Sequence, residues 1–433
     1  MKTKPIIILC ILSLVSLLSV AQNQYNFEFG KSGEKQSVIY VSEPENFTSD
    51  KGYGFDFQNK ETVSITDQYC TSAQPFYFSV AVPEGVYDVA VTFGNPELES
   101  ITTIKAEARR LMILNQKIEA GKTITLHLTV SVRSPQIDST RSINLKSREV
   151  NYMNWDNRLS LEFSGENVAI QEIKIKPKTN YKTLFLAGNS TVTDQDLAPW
   201  ASWGQMITRF FNSDIVVANY AESGASMSSF KARGRLDKVL SQIKPGDYLF
   251  IEFGHNDQKQ HGEGIGPWDS FTKLLIEFVT RTREKGGIPV FCTPTQRRSF
   301  NDQGVIELTH GDYPAAMRKV AKDYQVPLID LNEMTKTVYE AWGPEPSRKA
   351  FVQYPANTFP GQDQKLEDNT HFNTFGANEV AQCVLRGIGE NVPQLKTYVI
   401  NYDWTYNPAH PSKFEDWNLI MSPRFESVKP DGN

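Results

Sequence analysis

Asp368 stands three residues before His371 in the run Asp368-Asn369-Thr370-His371. At that spacing a carboxylate and an imidazole can share one face of a turn. The carboxylate then holds the ring tautomer and steadies the charge the ring gains on taking a proton. Such a pair serves to activate a hydroxyl. The chain offers one at Ser190, at the end of Leu184-Phe185-Leu186-Ala187-Gly188-Asn189-Ser190. That stretch reads as a short apolar strand running into a tight Gly-Asn turn. On its own Ser190 reads as a helix cap, since serine and threonine are common ahead of helices. Two further turns follow apolar runs: Ala221-Glu222-Ser223-Gly224-Ala225-Ser226 and Gly254-His255-Asn256-Asp257. Each piece has an ordinary reading, as a turn, a packing glycine or a helix entry. Together, in order and at strand ends, they gather a serine, a glycine turn and an asparagine at one sheet edge, with an Asp–His pair to serve them.

The elements that must position these groups change character along the chain. From Tyr25 to about Lys176 the apolar residues have period two. Phe76, Phe78, Val80 and Val82 alternate with their neighbours, and after Pro83-Glu84-Gly85 the alternation resumes through Val89, Val91 and Phe93. This predicts a hairpin with one buried face. Ile124 to Val132 and Leu159 to Phe163 repeat the signal, and Val168 to Ile175 follows a turn at Gly165-Glu166-Asn167. No helical stretch is evident, and residues 22–178 read as a β-sandwich. Pro177-Lys178-Thr179-Asn180 is a polar break.

Beyond it, strand-like runs alternate with helical ones. The strand candidates are Thr183–Ala187, Ile215–Asn219, Tyr248–Phe253, Ile288–Thr293 and Val326–Asp330. Amphipathic stretches built on Trp203, Leu236, Phe271 and Met317 lie between them, and a further helix carries Val380, Val384 and Ile388. Residues 180–400 therefore read as an α/β fold, a doubly wound parallel sheet with helices on both faces. In such sheets the chemistry collects at the carboxyl edge, where the three turns fall. Residues 401–433, rich in Pro, Asn, Trp and Lys, read as an irregular tail.

Composition narrows the function. A formal charge of -5 argues against a nucleic-acid partner. Lys2 and Lys4 before the apolar run Ile6–Leu18 and a Ser19-Val20-Ala21 site predict a signal peptide over 1–21 and a secreted or periplasmic protein. No later stretch is long and apolar enough to span a membrane. Cys70, Cys292 and Cys383 are too few for a disulfide framework, and the last two fall in apolar runs that bury thiols. His-Glu-x-x-His and Gly-x-Ser-x-Gly are both absent, which disfavours a zinc hydrolase of that kind and an α/β-hydrolase elbow. His127 lies on the polar side of a strand; His261 and His310 have no carboxylate at a telling spacing.

The set Ser190, Gly224, Asn256 and His371, with Asp368, resembles the SGNH (GDSL-type) hydrolase family. Asn189 stands where that family's block has Asp. Gly188–Val192 with Trp203-Gly204-Gln205, Phe253–Asp257, Gly311-Asp312-Tyr313-Pro314 and Asp368–Phe372 look like its rhamnogalacturonan acetylesterase branch. The resemblance covers about Lys182 to Gly389. It implies a flavodoxin-like three-layer αβα catalytic domain after a galactose-binding-like β-sandwich. It implies acyl transfer with Ser190 as nucleophile, His371 as base and Asp368 as its orienter. The oxyanion would be held by the Ser190 and Gly224 N–H groups and the Asn256 amide, with no metal or cofactor required. The substrate so implied is an acetylated plant cell-wall polysaccharide, rhamnogalacturonan first; another acetylated glycan such as xylan, or a lipid ester, is the alternative. A different class is a carbohydrate-binding protein with an inert hydrolase domain, against which the intact five-residue set argues. Candidate substrate contacts are Asn189, Trp200, His255 and Arg297, with Trp203, Arg233 and Arg298 weighed beside them. Trp200 could offer a sugar-stacking face, and the arginines could meet uronate carboxylates.

Overall fold

The computed structural model describes residues 24–431 except 31, 32, 34 and 58. The signal peptide expected over 1–21 lies outside the described residues. The period-two half forms two sheets. One runs, in spatial order, Ile124–Val132, Gly85–Phe93, Ile170–Pro177, Tyr25–Phe29 and Ile39–Val41, with Val63–Ile65 and Cys70–Ser72 joined at Ile170. The other runs Tyr53–Asp56, Phe76–Ala81, Arg158–Glu166, Ser100–Ala106 and Arg110–Ile118. Their inward residues, among them Phe27, Phe78, Val89, Phe163 and Ile173, share one buried apolar cluster.

Two expectations need correction here. Phe76–Ala81 and Gly85–Phe93 do not form a hairpin, because they lie in different sheets. Pro83-Glu84-Gly85 carries the chain across the core, and Gly165-Glu166-Asn167 does the same between Arg158–Glu166 and Ile170–Pro177. Alternation reports which residues face the core, and that is the same whether two strands pair edge to edge or face each other across it. Nor is only one face covered. Tyr77, Ser79, Ser160, Glu162 and Ser164 point away from the apolar cluster and are nevertheless buried.

The second half holds a five-stranded parallel sheet in the order Ile215–Asn219, Lys182–Gly188, Tyr248–Glu252, Ile288–Cys292 and Leu328–Ile329. Leu184 and Leu186 face a cluster with Trp203, Met206, Val380 and Val384. Phe185 and Ala187 face Phe230, Leu236, Phe278 and Met317 on the other side. A strand covered on both faces has no polar side, which is why these segments read as unbroken apolar runs. The last strand is shorter than the Val326–Asp330 expected: Asp330 instead caps Leu331–Trp342, accepting from Glu333 N–H. That helix and Met227–Ala232, begun by Ser226, were not evident from periodicity. Thr374–Asn391 starts at Asn373, whose side chain accepts from the Phe375 and Gly376 N–H groups.

The two halves meet on apolar residues, with Leu111 and Ile143 joining the two cores of the catalytic half, and on buried polar groups. The Lys105 ammonium lies 2.8 Å from Glu162. Asp194 takes Arg110 at 2.8 Å and Arg133 at 3.0 Å. Arg109 donates to Trp200 O at 2.7 Å, and Gln205 to Ala108 O at 2.6 Å. The last segment closes the seam: Ser422 donates to Glu162 and accepts from Lys105, and Arg424 pairs with Asp196 at 2.6 Å.

Candidate functional site

Lys182–Gly188 delivers Ser190 through a tight turn. A Cβ on Gly188 would come within 2.5 Å of Val192 and 3.0 Å of the Glu252 carbonyl oxygen, so the strand end admits no side chain there. Asn189 is fully buried, and its Oδ1 accepts from Thr191 N–H at 3.0 Å. This is an Asx turn closing the loop, and it keeps Asn189 out of any cleft. Thr191 Oγ1 lies 2.9 Å from Asn189 Oδ1 and 2.7 Å from Glu252 Oε1. One hydroxyl proton cannot serve two acceptors, and a protonated Glu252 resolves the conflict. Burial pushes the Glu252 carboxyl up to about 7, against the hydrogen bonds from Thr191 and Trp203. A protonated Glu252 can donate to Thr191 and leave the Thr191 hydroxyl for Asn189, while Trp203 Nε1 donates to Glu252 at 2.6 Å. The nucleophile turn thus rests on a buried carboxyl that burial moves up to about 7.

His371 and Asp368 stand just ahead of the helix Thr374–Asn391, as expected, on a strand that runs into it. Leu366–Phe372 pairs with Phe351–Tyr354 in a bulged antiparallel ribbon. Asp368 Oδ1 accepts from the Thr370 and His371 N–H groups at 2.7 and 2.8 Å, an irregularity that brings both side chains to one side. Asp368 Oδ2 lies 2.8 Å from His371 Nδ1, and His371 Nε2 lies 2.8 Å from Ser190 Oγ. Burial alone would raise the Asp368 carboxyl, but the His371 hydrogen bond and charge, with the two N–H groups, hold it at about 2. Arg298 fixes the ribbon from behind, donating to Asn369 Oδ1 and to Ser347 at 3.0 Å each. It is buried and occupied, not a free guanidinium for substrate.

Gly224 sits at φ 78°, in the left-handed region that favours glycine. Asn256 donates its amide to Ala225 O at 3.1 Å, so this turn sets the orientation of the Asn256 side chain. Asp257 links the same turns, accepting from Met227 N–H at 2.8 Å and Gly254 N–H at 2.9 Å. Gln195 ties the serine to them by donating to Ser190 O at 2.8 Å and Ser223 Oγ at 3.3 Å. Among the described residues, the Ser190 and Gly224 N–H groups donate to no other protein group.

The candidate substrate contacts fall apart as a group. Trp200 is 3% exposed, with its ring edge against His371 at 5.8 Å, and donates to Glu426 O; it offers no open face for a sugar. The steric reason is the overlying segment, which covers it. His255 and His310 pack at 4.5 Å, and burial drives both below the ordinary imidazole range, His310 to about 3. Arg297 is held between the His255 carbonyl oxygen and Thr309. Arg233 donates to Asn144 O, away from the triad, and His127 pairs with Asp88 on the N-terminal sheets. Trp203 is core. Glu252 and Gln195 were not singled out from sequence. Glu252 carries a faint signal, as the one acid closing the apolar run Tyr248–Glu252. No group of His, Cys, Asp and Glu that could hold a metal ion occurs among the described residues, where the three cysteines are buried free thiols.

A serine hydroxyl joined to a carboxylate-oriented imidazole at the edge of a parallel sheet is the arrangement of a serine hydrolase. Comparison with known proteins agrees. The model of the GDSL-like Lipase/Acylhydrolase family matches residues 186–377. Rhamnogalacturonan acetylesterase RhgT of Bacillus subtilis (strain 168) is 46% identical over 220 residues, covering 50% of this chain and 94% of that protein. The probable rhamnogalacturonan acetylesterase YesY of the same organism is 33% identical over 210 residues, covering 48% of this chain and 92% of that protein. The crystal structure of the YxiM protein of Bacillus subtilis is 22% identical and covers 85% of this chain and 98% of that one, with a TM-score of 0.44. The chain belongs to the GDSL-like lipase/acylhydrolase family, and it is a serine esterase.

Proposed function

We propose that this esterase removes O-acetyl groups from a pectic polysaccharide, rhamnogalacturonan foremost, with Ser190, His371 and Asp368 as the triad. The observation that carries the chemistry is the unbroken chain of 2.8 Å contacts from Ser190 Oγ through His371 to Asp368. The substrate class rests on the names of relatives that match the catalytic half over nearly their whole length. His371 Nε2 takes the Ser190 proton as Oγ attacks the acetyl carbonyl. The negative charge that develops is met by the Ser190 and Gly224 N–H groups and the free amide proton of Asn256. His371 then protonates the departing sugar oxygen, and an acetyl-enzyme remains. Water, deprotonated by the same imidazole, releases acetate. Asp368, ionised down to about pH 2, steadies the imidazolium throughout.

The two facing sheets of the N-terminal half act, on this reading, as a galactose-binding-like β-sandwich domain over 22–178, docked on a catalytic domain over 180–400. Removal of residues 1–21 on export would place the enzyme outside the cytoplasm, which N-terminal sequencing of the exported protein checks. The activity test is acetate release from acetylated rhamnogalacturonan, acetylated xylan and a long-chain acyl ester, by wild type and Ser190→Ala. Release from the pectic polymer by wild type, lost in the variant, is expected. Equal release by both proteins sinks the serine mechanism. Preference for xylan or the long acyl chain overturns the substrate, and glycan binding without turnover by wild type returns the binding-protein reading.

A further inference from the structure

Two cations from the N-terminal half reach the glycine turn. Lys146 Nζ and Arg148 Nη2 both donate to Ser223 O, at 2.8 and 2.9 Å. A Cβ on Gly224 would lie 3.2 Å from Lys146 Nζ, so the positive charge stands against the glycine turn, on the carbonyl side of the Ser223–Gly224 peptide. The carboxylate that meets both cations is Asp431, 3.2 Å from Lys146 Nζ and 3.2 Å from Arg148 Nε.

Other carboxylates stand around the same cations. Glu222 lies 2.9 Å from Lys146 and 3.2 Å from Arg235, and Glu149 lies 2.5 Å from Arg235. Glu426 also acts on Arg148, so three cations (Lys146, Arg148, Arg235) face four carboxylates (Glu222, Glu149, Glu426, Asp431). Remove Asp431, and Lys146 and Arg148 lose the half-exposed carboxylate they share, which opens that position to another anion.

Asp431 is held loosely compared with what precedes it. The stem is pinned by Ala198 N–H to Arg424 O at 2.8 Å, by Glu426 N–H to Ala198 O at 3.0 Å, and by the Arg424–Asp196 pair. Past Glu426 the segment crosses from the triad to the glycine turn. Val428 is 67% exposed, Lys429 lies 3.3 Å from Asp368 Oδ2, and the Asp431 side chain is 53% exposed. Ion pairs this exposed contribute little and are readily exchanged.

We propose that Lys146 and Arg148 form a carboxylate subsite beside Gly224, filled by Asp431 in the free enzyme and by a uronate carboxylate of the polymer in the complex. The proposal rests on the pectic reading for its ligand. It assigns the N-terminal half a direct part in choosing an acidic polymer, with residues 427–431 as the element the polymer displaces. An arginine–carboxylate contact, planar and charge-assisted, suits such a role.

The test compares KM for acetylated rhamnogalacturonan with KM for a small neutral aryl acetate, and measures inhibition of aryl acetate turnover by free galacturonate. Asp431→Asn should lower KM for the acidic polymer roughly two- to fivefold and tighten galacturonate inhibition by a similar factor. Arg148→Gln should raise KM for the acidic polymer on the order of tenfold, well beyond any change for the aryl acetate, with Arg148→Lys recovering part of it. Equal changes for both substrates in Arg148→Gln would overturn the subsite. An unchanged KM for the acidic polymer in Asp431→Asn would overturn its occupation by Asp431. If wild type hydrolyses the aryl acetate but not the acidic polymer, the pectic reading fails instead. Galacturonate inhibition, or its absence, then decides the subsite by itself.

Discussion

Two five-stranded sheets in this molecule are buried on both faces, and they are buried differently. The parallel sheet is apolar on each side, with Leu184 and Leu186 against one helix layer and Phe185 and Ala187 against the other. Its polar groups are pushed to the strand ends, where Ser190, Gly224 and Asn256 stand. The antiparallel sheet that includes Phe76–Ala81 and Arg158–Glu166 is apolar on one face only. Its other face is mixed: it buries Ser79, Lys105, Ser160 and Glu162 beside Tyr77, which packs with Ala108 and Met153, and it sends Leu111 into a core of the catalytic half. In the first sheet polarity marks chemistry; in the second it marks attachment. A substitution at the parallel sheet's edge should therefore change rate and spare stability, and a substitution in the seam should do the reverse.

The strongest break of that contrast would come from Ser190→Ala. Its kcat should fall on the order of 10³-fold or more, with the urea midpoint nearly unmoved; a large loss of stability would make Ser190 a structural cap after all. Next in size is Glu162→Leu, which strands the Lys105 ammonium among buried groups. A buried charge left without its partner costs about 3–5 kcal/mol. Urea unfolding should register that loss, and Lys105→Met added to Glu162→Leu should recover much of it. No loss in the single variant would mean that the seam is hydrated. Asn256→Ala should lower kcat about 10²–10³-fold, with KM for a small acetate ester little changed. A pure KM effect would move Asn256 from the oxyanion to substrate binding.

The smallest effect sharpens the contrast from inside the parallel sheet. Glu252 has its folded pKa raised from 4.5 to about 7 by burial. Between those values the unfolded chain has lost the proton and the folded protein keeps it, so stability falls as pH rises from about 4.5 to 7. Glu252→Gln should flatten this slope by up to roughly 3 kcal/mol across the window. An unchanged slope would show that Glu252 is ionised and that the Thr191 hydroxyl serves one acceptor only.

Much of the site was legible because its parts announce themselves locally. Continuous apolar runs cut off by Gly188-Asn189, Gly224 and Gly254 mark the ends of buried parallel strands, and Asp368-x-x-His371 carries its own geometry. The strand that holds this pair was not legible. Leu366–Phe372 is mostly polar, and its partner Phe351–Tyr354 is short. Strand pairing in the N-terminal half was hidden for another reason, since period two is blind to which neighbour a strand bonds. Trp200 looked available for sugar because nothing near it in sequence covers it; Glu426, far along the chain, does. Lys105 and Glu162 were not singled out from sequence, and their partner Ser422 lies far along the chain. Long-range contacts between single polar residues leave no periodic trace.

The polar seam also bears on how such a chain reaches its folded state. When only the N-terminal sheets have formed, the face still uncovered carries serine, lysine, arginine and glutamate interspersed with apolar residues such as Leu111 and Leu114. Water can satisfy those groups until Gln205, Asp194 and Ser422 arrive to replace it. Partly folded chains that expose apolar faces or unpaired strand edges associate with one another. Here the buried charges and hydroxyls break up the apolar part of the surface that the second half must cover.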